Sequence, residues 1–154
     1  MRQRAKSLIP FLVLALAFGL APLRCRGATN APVFHASLLL ALQAAAESDS
    51  LTLVVFHSQG SAASKKLLTQ TIRSQEFAAQ AGDVQVVELD VDLSPTTARE
   101  FREREVPAAV LLSPNGKVRS RRTGYFATAE LMLWLRTARD QLRSGTWNGL
   151  ESGE

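Results

Sequence analysis

Val54-Val55-Phe56-His57-Ser58-Gln59-Gly60-Ser61-Ala62-Ala63-Ser64-Lys65-Lys66-Leu67 reads as a buried strand, a short turn and the start of a helix. The run from Leu51 to Phe56 is nearly all apolar, which suits a central strand covered on both faces. Ser61 to about Gln80 then reads as a helix, with Leu67, Leu68, Ile72, Phe77 and Ala78 on its inner face and Gly82-Asp83 as its stop. A serine at a helix N-terminus most often caps free backbone N–H groups, and that is the plain reading of Ser61 and Ser64.

Working outward, Phe34 to Glu47 is rich in Leu and Ala, with Leu38, Leu39, Leu42 and Ala45 at helical spacing, and Ser48-Asp49-Ser50 ends it. Val84 to Val91 is a second strand. Ser94 as N-cap and Pro95 at the first helical position open a helix that runs through Phe101 to about Glu105. Val106-Pro107 leads into a third strand, Ala108 to Leu112. Pro114-Asn115-Gly116 is a turn signal, so Lys117 to Thr123 returns as an antiparallel partner. Thr128 starts a last helix with apolar Leu131, Leu133, Trp134, Leu135 and Leu142. The order is α-β-α-β-α-β-β-α. A helical crossover makes the first two strands parallel, and the last two form a hairpin. The expected fold is α/β, a mixed four-stranded sheet with helices on both faces.

The 154 residues suffice for one domain with a real core. Arg2, Arg4 and Lys6 precede an apolar run from Leu8 to Leu23, and Gly27-Ala28 follows. This is the pattern of an export signal, and it is short for a membrane span. An uncleaved anchor is the alternative. Cys25 follows Arg24, where a lipoprotein cysteine expects a small residue. The leader holds five of the 18 basic residues and no acid, which leaves 13 basic against 14 acidic residues and a net charge of −1. No global basic character then points to nucleic acid. Removing the leader also removes Cys25, the only cysteine.

Three features together resemble the thioredoxin-like family. They are the segment Val54 to Leu67, with Lys65-Lys66-Leu67 after the motif; Glu88-Leu89-Asp90-Val91-Asp92, followed by a helix and Val106-Pro107; and Leu111-Leu112-Ser113-Pro114-Asn115-Gly116-Lys117-Val118, followed by Gly124-Tyr125. The likeness spans roughly Phe34 to Leu142 and looks most like exported bacterial thioredoxin-like proteins. It implies a thioredoxin-like fold and three parts: a signal peptide over 1–28, the domain over 29–143, and a flexible tail over 144–154 in which Trp147 is the one candidate for docking. It also implies a cis peptide before Pro107.

The family carries Cys-x-x-Cys at the helix start. Here Ser61 and Ser64 stand at both positions, Gly60 stands where tryptophan is usual, and Val55 stands where many members bury an aspartate. Disulfide exchange needs a thiolate of lowered pKa, so the resemblance implies a redox-inactive member with no catalytic residue, no cofactor and no metal. In the family the residue before the proline pairs with an extended peptide. Gly60, Ser61, Val106, Pro107, Gly124 and Tyr125 would then line a peptide-binding groove. The expected partner is an extended or partly unfolded polypeptide or a specific protein. Nucleic acid is not expected, and a membrane is expected only if the leader is retained. The expected place is the periplasm or outside the cell. The alternative function is thiol–disulfide exchange in cell redox homeostasis, which would have to use Cys25.

The remaining candidates read more plainly. Ser61 has no Gly-x-Ser-x-Gly or Ser-x-x-Lys context, so hydrolysis is not expected. His57 has no Cys, Asp or second His nearby for a metal, and His35 lies far back in sequence. Asp90 and Asp92 solvate a strand end. Arg119, Arg121 and Arg122 on an edge strand would block edge-to-edge pairing.

Overall fold

The computed structural model describes residues 31–145. Its strands are β1 (Val33–His35), β2 (Thr52–His57), β3 (Gln85–Asp90), β4 (Ala108–Leu112) and β5 (Val118–Thr123). Its helices are α1 (Leu38–Ser48), α2 (Ala62–Leu67), α3 (Gln75–Gln80), α4 (Pro95–Glu100) and α5 (Thr128–Ser144), and a π-helical segment, Leu68–Ile72, continues α2. The strands form one sheet in the order β1-β3-β2-β4-β5. β3 runs parallel to β1 and β2, and β4 runs antiparallel to β2 and β5. The signal peptide expected over 1–28, Cys25 and Trp147 lie outside the described residues.

The period of two along each strand divides the core between the two faces. Leu53, Val55, Val86, Ala109 and Leu111 face one way, against Leu67, Ile72, Phe77, Leu131 and Leu135 of α2, the π segment, α3 and α5. Val54, Phe56, Val87, Ala108 and Val110 face the other way, against Ala41 of α1 and Ala98 of α4. The helices therefore lie on both faces, as the sequence implies.

The sheet has five strands where the sequence reading gives four. β1 is too short for its alternation to show, and the Leu-rich run beyond it draws Phe34 into the expected helix. Ser37 sets the true start of α1: it is extended, and its hydroxyl accepts the N–H of Leu40 at 3.3 Å. Leu39, expected on the inner face, is exposed.

The helix expected from Ser61 to Gln80 is broken. Ser74 caps α3 by accepting the N–H of Phe77 at 3.0 Å. Just before it, the buried Thr71 hydroxyl donates to the carbonyl of Phe126 at 2.8 Å. Ala78 is exposed as a result, and so is Leu133 on α5. α4 ends at Glu100, short of Glu105. Pro95 does open it, but the Ser94 hydroxyl makes no capping hydrogen bond.

Candidate functional site

The register brings the candidate residues to one end of the sheet. Phe56 lies opposite Ala108, and Ala108 lies opposite Thr123. The next residues outward are His57, Pro107 and Gly124. The loop of Gly60 and Ser61, the Val106-Pro107 pair and Gly124-Tyr125 therefore leave the sheet at the same end. The turn after β3 joins them there, because β3 is parallel to β2.

Hydrogen bonds among small side chains hold the loop between β2 and α2. Ser61 N–H donates to Ser58 C=O at 3.2 Å and closes the turn. The Ser61 hydroxyl accepts the N–H of Ser64 at 3.1 Å, so it caps α2 as expected. The Ser64 side chain is fully buried, and its hydroxyl accepts the N–H of Ser58 at 3.3 Å. Ser58 in turn donates to the Asp92 carboxylate at 2.7 Å and accepts the N–H of Gly60 at 3.2 Å. Asp90 accepts the N–H of Asp92 at 3.0 Å. Asp92 thus ties the turn after β3 to the loop after β2, while Asp90 closes its own turn, so both do more than solvate a strand end. Ser58 is the residue that sequence reasoning missed. Its role depends on a partner 34 positions away, for which the sequence gives no signal.

Pro107 is buried, and the Val106–Pro107 peptide bond is cis. Its carbonyl accepts the N–H of Gly124 at 2.7 Å. Gly124 has φ +87°, a conformation that glycine adopts without strain. Val106 is half-buried against the cluster containing Phe56 and Ala98, and among the described residues it makes no hydrogen bond. Tyr125 is 41% exposed. The Lys66 ammonium stands 4.3 Å from its ring centroid, and its hydroxyl donates to Gln70 at 3.5 Å. These contacts tie the residues before α5 to α2 and the π segment. Leu93, also unforeseen, is highly exposed in the turn after β3.

His57 is half-buried, and its carbonyl accepts the N–H of Val91 at 2.9 Å. Among the described residues no three His, Cys, Asp or Glu side chains gather. The only cysteine in the sequence, Cys25, lies outside 31–145. Val55 is buried in the core, so no carboxylate lies at that position.

β5 forms a sheet edge, as expected for the arginine strand. Arg121 turns inward, donating to the Phe101 carbonyl and to Glu103 at 2.9 Å. Arg122 lies 5.5 Å from the ring centroid of Trp134. Burial pushes the Glu103 carboxyl above the ordinary carboxylate range, while the charge and hydrogen bond of Arg121 pull it down.

No protein-family model and no curated protein matches this sequence. Solved structures do match. The Thermus thermophilus thioredoxin superposes with a TM-score of 0.63 at 21% identity, over 75% of this chain and 93% of that one. Spinach chloroplast thioredoxin f gives 0.56 at 20%, over 71% and 95%. A point mutant of Halobacterium salinarum thioredoxin gives 0.57 at 18%, over 71% and 92%. The chain has the thioredoxin fold. On that fold the stretch from Ser58 to Ser64 joins β2 to α2, with three serine hydroxyls and the Gln59 amide as its polar side-chain groups. Redox activity is not evident from these residues. No helix among the described residues is long and apolar enough to cross a membrane.

Proposed function

We propose that this domain is a binding module that holds an extended polypeptide at Gly60, Ser61, Val106, Pro107, Gly124 and Tyr125 and does no redox chemistry. The observation that carries this reading is Val106. It is half-buried at the same end of the sheet as exposed Tyr125, and its N–H and C=O have no partner among the described residues. An unpaired backbone beside apolar surface is what a strand-like peptide uses for main-chain hydrogen bonds and side-chain contact. Exposed Leu93 adds apolar surface at the same end of the sheet. The loop supports the binding role in another way. The hydroxyls of Ser61 and Ser64 each accept a backbone N–H, and no basic side chain among the described residues hydrogen-bonds to either one to activate it as a nucleophile. The export-signal pattern of residues 1–28 supports a place of action outside the cytoplasm.

The test is fluorescence anisotropy with a short labelled peptide of Ser, Gln, Val and Leu. Binding is expected to be indifferent to dithiothreitol and to weaken at least tenfold in Gly60→Trp and Val106→Asp. A Cβ at Gly60 would meet only the Ser58 hydroxyl, at 3.7 Å, so the exposed backbone there accepts a side chain, and a thermal melt of Gly60→Trp checks that the fold is kept. Undiminished binding in both variants would move the site elsewhere.

A further inference from the structure

The segment from α4 to Val106 carries cations that the reading above leaves unused. It runs Arg99-Glu100-Phe101-Arg102-Glu103-Arg104-Glu105. Phe101 anchors it, packing on Phe56 with ring centroids 5.5 Å apart. Glu103 turns inward with 7% of its side chain exposed, and Arg121 matches its charge at 2.9 Å. Arg99, Arg102 and Arg104 stay exposed, and with Glu103 they line a cavity of about 320 Å³. Among the described residues none of these three arginines has an ion-pair partner. Glu100 and Glu105 do not line the cavity. The alternating sequence is thus sorted in space into a basic hollow with its one acid already neutralised.

This hollow adjoins the site. Arg104 precedes Val106 by two residues, and two residues span at most about 7 Å. We propose that the cavity receives the carboxylate side chains of an acidic stretch in the polypeptide bound at Val106. The proposal rests on the reading of Val106 as a peptide-pairing residue. A polypeptide is the one ligand class that can meet an unpaired backbone and an arginine cluster together. An extended chain places alternate side chains on one face about 6.7 Å apart, so acidic residues alternating with apolar ones would present carboxylates to the arginines. The planar guanidinium grips a carboxylate through two parallel hydrogen bonds. The net charge outside the leader is −1, so a preference for acid must come from local cations, and the variant below separates these arginines from Lys66 beside Tyr125.

The experiment uses the same labelled peptide and two counterparts, with every Gln replaced by Glu or by Lys. The wild-type domain is expected to bind the Glu peptide at least about fivefold more tightly than the Gln peptide, on the scale of a few exposed charge pairs. The preference should fade between about 0.02 and 0.3 M NaCl, as the Debye length falls from roughly 20 to 6 Å. The triple variant Arg99→Gln, Arg102→Gln, Arg104→Gln breaks no ion pair within the domain and should melt within a few degrees of wild type. It should bind all three peptides alike. Equal wild-type binding of the Glu and Gln peptides, or a Glu preference that survives in the triple variant, overturns the proposal. Gln-peptide binding that stays sensitive to Val106→Asp would then leave the groove standing alone. Loss of all peptide binding in the wild type sinks both.

Discussion

The hydroxyl of Ser64, with no solvent exposure, accepts the backbone N–H of Ser58 at 3.3 Å. This bond crosses from the end of β2 to the first turn of α2 and fixes the loop between them. Ser64→Ala removes the acceptor and strands a half-buried N–H, at an expected cost of about 1 kcal/mol. Ser61→Ala removes the cap on α2 and should cost about the same. Urea unfolding with an unchanged m-value would show both losses. A cost below about 0.5 kcal/mol for Ser64→Ala, the range of a surface substitution, would mean that the loop is held by other contacts.

Two buried threonines should respond in opposite directions. Thr71 donates to the Phe126 carbonyl at 2.8 Å, so Thr71→Val leaves a buried carbonyl without that donor and should cost about 1–3 kcal/mol. The hydroxyl of Thr52 is buried in β2 and has no partner among the described residues. Thr52→Val removes an unpaired polar group at nearly constant volume and should be neutral or stabilising, by up to about 1 kcal/mol. Thermal melts of the two variants beside wild type decide this. Equal destabilisation would show that the Thr52 hydroxyl is satisfied by solvent or by a rearrangement.

How much of this was legible follows from how local each signal is. β2 and β4 stand out because both faces of each are buried, which makes their sequences continuously apolar. The α2 cap was readable because Ser61 acts on a residue three positions away. β1 was not, since three residues cannot display a period. The break between the π segment and α3 did leave a mark, since the steps of five from Leu67 to Ile72 and from Ile72 to Phe77 depart from the three- and four-residue spacing of one α-helical face. The Ser74 cap on the N–H of Phe77 marks the restart locally, whereas the bond from Thr71 to Phe126, 55 positions away, leaves no mark in the sequence. Motif position and proline together pointed to the six residues proposed to hold a peptide, yet Ser58 and Asp92 escaped, because only the parallel pairing of β2 and β3 brings them together.

Glu103 should leave a mark on the pH dependence of stability. Burial raises its carboxyl above the ordinary value despite Arg121. The folded state then holds the proton more tightly than the unfolded chain, so stability falls as pH rises through the window above about 4. Glu103→Gln keeps an acceptor for Arg121 and cannot ionise. The melting temperature of the variant relative to wild type should therefore rise between about pH 4 and pH 6. A difference that is flat or reversed with pH would show that the Arg121 pair outweighs burial.

Introducing two thiols tests whether polypeptide docks beside the loop between β2 and α2. The Ser61 hydroxyl already lies 3.1 Å from the backbone nitrogen of Ser64, and a disulfide between the two positions would need Cα atoms about 4.4–6.8 Å and Cβ atoms about 3.5–4.5 Å apart. Ser61 is partly exposed and Ser64 is buried. In Ser61→Cys, Ser64→Cys the first thiolate would attack an insulin disulfide. The second thiol would displace the reduced chain as the bond between positions 61 and 64 closes. Dithiothreitol-driven insulin precipitation should accelerate with the double variant and should match buffer with wild type. Ser61→Cys alone should stop at the mixed disulfide, which mass spectrometry would record. A double variant that folds and closes its own disulfide, yet leaves insulin untouched, would show that polypeptide no longer docks beside Val106, Pro107 and Tyr125. The binding role would then have to be sought on another face. Activity in the wild type would show that the chain performs thiol exchange with a cysteine outside the domain.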